Sequence, residues 1–156
     1  MNVYPLEMPQ RECNIAIVAA EFNHFIVQQL VNGALDALQR NDVSESNTTL
    51  AWVPGAFELP LAADELASGG KFDAIIALGA VIRGGTPHFD YVAGECSRGI
   101  AQVGLEHGLP VIFGVLTTDD VDQALERAGS GAGNKGFDTA VAALQMIAML
   151  DRIRTG

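Results

Sequence analysis

At 156 residues the chain has the length of one common domain, residues 1–156 with 1–12 as an N-terminal extension, and can bury a core without disulfides or a second lobe. A net charge of −10 argues against nucleic acid and anionic membrane as partners, because both demand a basic face that releases counterions. The extension holds no apolar run suited to a signal segment or a membrane span, so a cytoplasmic protein is expected, and Cys13 and Cys96 stand far apart with no metal-ligand spacing, so no metal is expected and both read as buried thiols.

Short apolar runs alternate with helical patterns along the chain. Residues Asn14 to Ala20 read as a buried strand, and Asn23 is placed to cap a helix reaching about Asn41, with Ile26, Leu30, Ala34, Ala37 and Leu38 on one face. A second strand, Thr48 to Val53, ends at Pro54-Gly55 and leads to a helix over Phe57 to Ser68 that Gly69-Gly70 stops. Ala74 to Leu78 forms the third strand, followed by a loop over Gly79 to Thr86 and a helix to His107. After Gly108 comes a fourth strand, Pro110 to Leu116. Thr117 or Thr118 is placed to cap a helix through Arg127. Beyond the loop Gly129 to Gly136 a last helix runs to about Arg154.

Continuous apolar strands separated by helices predict an α/β fold: a three-layer α/β/α sandwich around a four-stranded parallel sheet, joined by right-handed crossovers. Ligands bind such sheets beyond the carboxyl ends of the strands. Four junctions fall there, Ala20 to Asn23, Pro54 to Glu58, Gly79 to His88 and Phe113 to Thr118, and are expected to converge on one crevice or one rim. The last helix is apolar around most of its circumference from Ala140 to Leu150. With 49% hydrophobic residues and a positive mean hydropathy, that stripe predicts burial against other copies of the chain.

The chemistry centres on Gly84-Gly85-Thr86-Pro87-His88. Thr86 as N-cap and Pro87 as first helical residue would leave free amides behind two glycines, an arrangement that attracts phosphate or carboxylate. It is neither a P-loop nor a G-x-G-x-x-G turn, and a tight turn without ligand explains it almost as well. His88 then carries an imidazole next to that loop, suited to moving protons near pH 7, whereas His24 and His107 read as structural. Of nine Lys and Arg residues, Arg83, Arg127 and Lys135 adjoin glycine-rich segments and suggest a local anion site in an acidic chain. Phe22 and Phe113 sit at strand ends, where an aromatic face can stack on a planar ring or pack in the core. Glu58 can favour its helix N-terminus or bind a polyol or amine. Trp52 reads as packing, and no hydrolase triad or carboxylate pair stands out.

Taken together, Phe22-Asn23, Pro54 to Pro60, Gly79 to Tyr91, Phe113 to Thr118, Glu126 to Gly129 and Ala132 to Gly136 resemble the lumazine synthase family over about residues 14 to 150. The resemblance implies a flavodoxin-like fold assembling as pentamers, and a transferase of riboflavin biosynthesis. Its reaction condenses 5-amino-6-(D-ribitylamino)uracil with 3,4-dihydroxy-2-butanone 4-phosphate, giving 6,7-dimethyl-8-ribityllumazine, phosphate and water, with no cofactor. It further implies that Phe22 stacks on the pyrimidine, that Ala56 and Glu58 hold the ribityl chain, that Phe57 also binds substrate, and that the backbone of Ala80, Val81 and Ile82 lines the ring. Gly85, Thr86 and Arg127 would bind the phosphate and His88 would move protons. Phe113, Arg127 and Lys135 would come from a neighbouring subunit of a homo-oligomer whose active sites lie at subunit interfaces, and the resemblance admits riboflavin synthase as a further partner. Glu21 and Ser130-Gly131 depart from the family pattern and make the site less positive, which bears on substrate affinity rather than on reaction type. A flavin-carrying flavodoxin-like module and a non-catalytic shell protein are the alternative readings.

Overall fold

In a computed structural model, which describes residues 1–129 and 133–156, four strands form one sheet. These are β1 (Ile15–Ala20), β2 (Thr48–Val53), β3 (Ala74–Ile82) and β4 (Val111–Thr118), in the order β2-β1-β3-β4. Every pairing is parallel. The longer helices are α1 (His24–Arg40), α2 (Leu59–Ser68), α3 (His88–His107), α4 (Val121–Arg127) and α5 (Lys135–Thr155). Two single 3₁₀ turns precede β2 and α2.

Strand alternation divides the core in two. Ile15, Ile17 and Ala19 of β1, with Ala74, Ile76 and Leu78 of β3, face α1, α4 and α5. Ala16, Val18 and Ala20, with Ile75 and Ala77, face α2 and α3. Both central strands are therefore apolar at every position, as a sheet covered on both sides requires. The N-terminal extension is tied down by Arg11, whose guanidinium donates to Asp151 at 2.8 Å and to Asp73 at 3.1 Å.

Several boundaries differ from the expected ones, each for a local reason. β3 continues four residues past Leu78, because Gly79 to Ile82 pair with Val115 to Thr118 and belong to the sheet rather than to a loop. Thr117 and Thr118 are strand residues, and the cap of α4 is Asp120, whose carboxylate accepts from the Gln123 amide at 2.8 Å. The last helix begins at Lys135, capped by Asn134.

α5 is also more internal than its apolar circumference suggested. Ala140, Ala143, Leu144 and Ile147 are buried against α1 and the sheet, and Met146 is the one large hydrophobic of the Ala140 to Leu150 stretch that lies exposed. Uncovered apolar side chains outside α5 include Phe22, Phe25, Phe57, Leu61, Tyr91, Leu105, Val121 and Leu125. Among the described residues no helix is long and apolar enough to cross a membrane.

Candidate functional site

The carboxyl edge of the sheet is stepped. Ala20 ends level with Val53, whereas β3 and β4 run on together to Ile82 and Thr118. The step leaves a crevice of about 760 Å³ over the short strands. Phe22, Ala56, Phe57 and Glu58 form one side of its lining, and Ala80, Val81, Ile82, Thr86 and His88 the other. Gly84 also lines it, with Gly85 between Gly84 and Thr86 in the chain. Three of the four expected junctions thus converge.

The turn after β1 is held on both flanks. Glu21 and Phe22 donate backbone amides to the carbonyls of Val53 at 2.7 Å and Pro54 at 3.1 Å. Asn23 was expected to cap α1, yet its side chain makes no cap bond. It sits in the left-handed region at φ 62° and donates Nδ2 to the Ala80 carbonyl at 2.9 Å. An asparagine tolerates that conformation better than most side chains, and here it clips the aromatic Phe22 to the end of β3. Phe22 is 71% exposed, so its face is free to stack. Glu21 lies 3.2 Å from His24 Nδ1, and the His24 ring packs against Trp52 with centroids 4.9 Å apart.

Thr86 is not the N-cap of α3. Pro87 occupies that position, no side chain caps the helix, and the Asp90 amide closes the first turn on the Pro87 carbonyl. His88 opens the helix with its side chain exposed over the crevice. Adding a Cβ at Gly84 or Gly85 would meet nothing within 4 Å, so open space surrounds this backbone.

Phe113 and Arg127 lie outside that crevice. They line a separate depression of about 680 Å³ with Thr117, Asp119 and Phe89. Phe89 lines both hollows, so the first turn of α3 is the wall between them. Lys135 opens α5 on the surface and lines neither. Arg83, read from sequence as part of an anion site, is instead occupied by carboxylates: its Nε donates to Asp119 at 3.0 Å, its guanidinium lies 3.8 Å from Asp90 and 4.5 Å over the Phe89 ring. It staples the loop after β3 to the turn before α4. Neither this staple nor the Asn23 clip is legible in the sequence, since each joins residues 36 or more positions apart.

Away from the crevice, the described residues hold one group of three metal-capable side chains, Asp64, Glu106 and His107. His107 Nε2 is 2.7 Å from Asp64 Oδ1, a pairing that joins α2 to the end of α3. Cys13 and Cys96 are free and buried, and burial pushes the Cys96 thiol up to about 12. Residues 130–132, which include the Ser130-Gly131 departure, lie outside the described residues.

A parallel sheet with an aromatic, a carboxylate, a histidine and an open glycine loop grouped beyond its carboxyl edge places the chain in the class of α/β proteins with a small-molecule-sized crevice at the strand ends. Residues 12–151 match the family model described as 6,7-dimethyl-8-ribityllumazine synthase. The chain belongs to that family: it is a transferase of riboflavin biosynthesis that forms 6,7-dimethyl-8-ribityllumazine. Membership selects catalysis over the flavin-carrying and shell alternatives.

Proposed function

We propose that the crevice between Phe22 and His88 is the active site, completed by a neighbouring copy of the chain. The observation that carries this reading is the partition of the expected residues. Nine of them line one crevice, from Phe22 to His88, while Phe113 and Arg127 lie beyond its wall and Lys135 lines neither hollow. A phosphate held at Gly85 and Thr86 needs a cation, and the described lining of the crevice supplies neither lysine nor arginine. A second copy presenting its Phe113, Arg127 and Lys135 face would supply it. The exposed apolar side chains support such a head-to-tail contact: Phe57 and Leu61 flank the crevice side and Val121 and Leu125 lie on α4. Heterologous contacts form rings where the rotation between copies closes, and a pentamer is the proposed form.

In this arrangement Phe22 stacks on the pyrimidine, Ala56, Phe57 and Glu58 hold the ribityl chain, and the backbone of Ala80, Val81 and Ile82 borders the ring. The 5-amino group attacks the ketone carbon, and loss of water gives the imine. Phosphate leaves as inorganic phosphate from a site whose amides and Arg127 already balance its charge. His88 takes and returns the protons of these steps. The ribitylamino nitrogen then closes the second ring with loss of the second water. Holding both substrates in reacting geometry accounts for much of the acceleration, an effect that reaches about 7 to 11 kcal/mol.

Mixed oligomers test the shared site. His88→Ala and Arg127→Ala chains are each expected to be nearly inactive, and their co-assembly at equal ratio to restore about a quarter of the wild-type sites, those pairing an intact His88 with a neighbour's intact Arg127. Formation of the lumazine chromophore with release of phosphate is the readout. No recovery from co-assembled chains would place both residues in one subunit's site.

A further inference from the structure

Asn134 precedes Lys135 at the start of α5. It is buried, and its carboxamide is used three ways: Oδ1 accepts from the Phe137 amide at 3.0 Å, capping α5, while Nδ2 donates to the carbonyls of Gln29 at 3.0 Å and Ala128 at 3.3 Å. Ala128 is the C-cap of α4 and follows Arg127. Lys135 follows Asn134 and opens α5. One side chain therefore ties both cation-bearing helix ends to the middle of α1. The packing around it is built to admit it. A Cβ at Gly33, inside α1, would overlap the Asn134 carboxamide, and a Cβ at Gly136 would overlap the Leu30 carbonyl. A glycine within a helix lowers helix stability, and at Gly33 its lack of a side chain is what lets the carboxamide sit against α1.

We propose that Asn134 is the positioning residue for Arg127 and Lys135, setting the two cations in the geometry that receives the substrate phosphate. The inference rests on the reading that Arg127 binds that phosphate. Asn134 touches no substrate. It acts through the Ala128 carbonyl and the start of α5, so its loss displaces the cations without removing them.

The test uses the assembled enzyme, with inorganic phosphate as a competitive probe of the phosphate subsite. Asn134→Ser keeps a hydroxyl that can cap α5 and loses both amide donations. Asn134→Asp keeps the accepting oxygen and also loses them. Each is expected to raise the KM for the butanone phosphate and the Ki for inorganic phosphate about tenfold, the effect of weakening one hydrogen bond to a charged group. The KM for the pyrimidine should stay near wild type. In the Arg127→Ala background the Asn134 change should weaken phosphate binding less than it does in wild type, because only Lys135 is then left to displace and residues acting through one contact are not additive. An unchanged phosphate Ki in a folded Asn134 variant overturns the proposal, as does full additivity. Gly33→Ala, which leaves Asn134 in place but crowds its carboxamide, should shift the phosphate Ki the same way, and keeps the test open if either Asn134 variant misfolds. Should Arg127→Ala alone leave the phosphate Ki unchanged, the assignment of Arg127 falls first. Should Arg127→Ala weaken phosphate binding while the Asn134 variants do not, only the positioning role falls.

Discussion

His88 stands exposed at the mouth of the crevice, on the first residue of α3, with space around the glycines that precede it. A side chain in that position exchanges protons with a bound molecule without first breaking a buried network. His88→Ala is expected to lower kcat by about 10² to 10⁴ fold, the usual worth of a placed acid or base, with modest change in either KM. Steady-state kinetics of the variant check this, and an unchanged kcat removes His88 from proton transfer. The other residues around the crevice divide by what they touch. Phe22 and Glu58 face open space, whereas Asn23 and Arg83 spend their polar groups on the protein itself. Their residue types alone read as a cap and a free cation, because a side chain's partner is set by which distant carbonyl or carboxylate the fold brings within reach.

The elements show where local rules hold and where pairing overrides them. α1 and α3 end as their sequence says, α3 on Gly108 at φ 64°. β3 outruns the expected Leu78 terminus, since a glycine inside an apolar run reads as a loop until a partner strand claims it. Gly114 shows how tightly β4 is claimed. An added Cβ there would lie 2.6 Å from Leu78 Cδ2, 2.9 Å from the Ala77 carbonyl oxygen and 3.0 Å from Thr139 Cγ2. Gly114→Ala is therefore expected to destabilise the fold by about 1 to 3 kcal/mol, as overpacking does. Gly84→Ala, with nothing within 4 Å of its Cβ, should stay within about 0.5 kcal/mol of wild type. Denaturant melts of the two variants check the contrast, and equal midpoints would contradict it.

For the whole molecule, the case for association shifts to different side chains. The last helix looked like surface buried by other copies, yet α1 and the sheet already cover most of it. What remains uncovered is a set of aromatic and leucine side chains, with Phe57 58% and Leu105 86% exposed. Light scattering at micromolar concentration is expected to return several times the chain mass, and activity per chain to fall on dilution below the association range. A monomer mass combined with full activity would overturn the shared site as well as the ring.

By itself the sequence determined the layered α/β order, the strand-end loops and the residues from Phe22 to His88 that meet in one crevice, because these depend on apolar periodicity and on neighbours close in the chain. The tertiary structure alone decided that Phe113 and Arg127 face away across the first turn of α3, that Arg83 is held by Asp119, and that Asn134 links three helices. Those outcomes depend on contacts between residues far apart in sequence, and no local pattern encodes which distant group will fill a hydrogen bond or which face a helix end will turn outward.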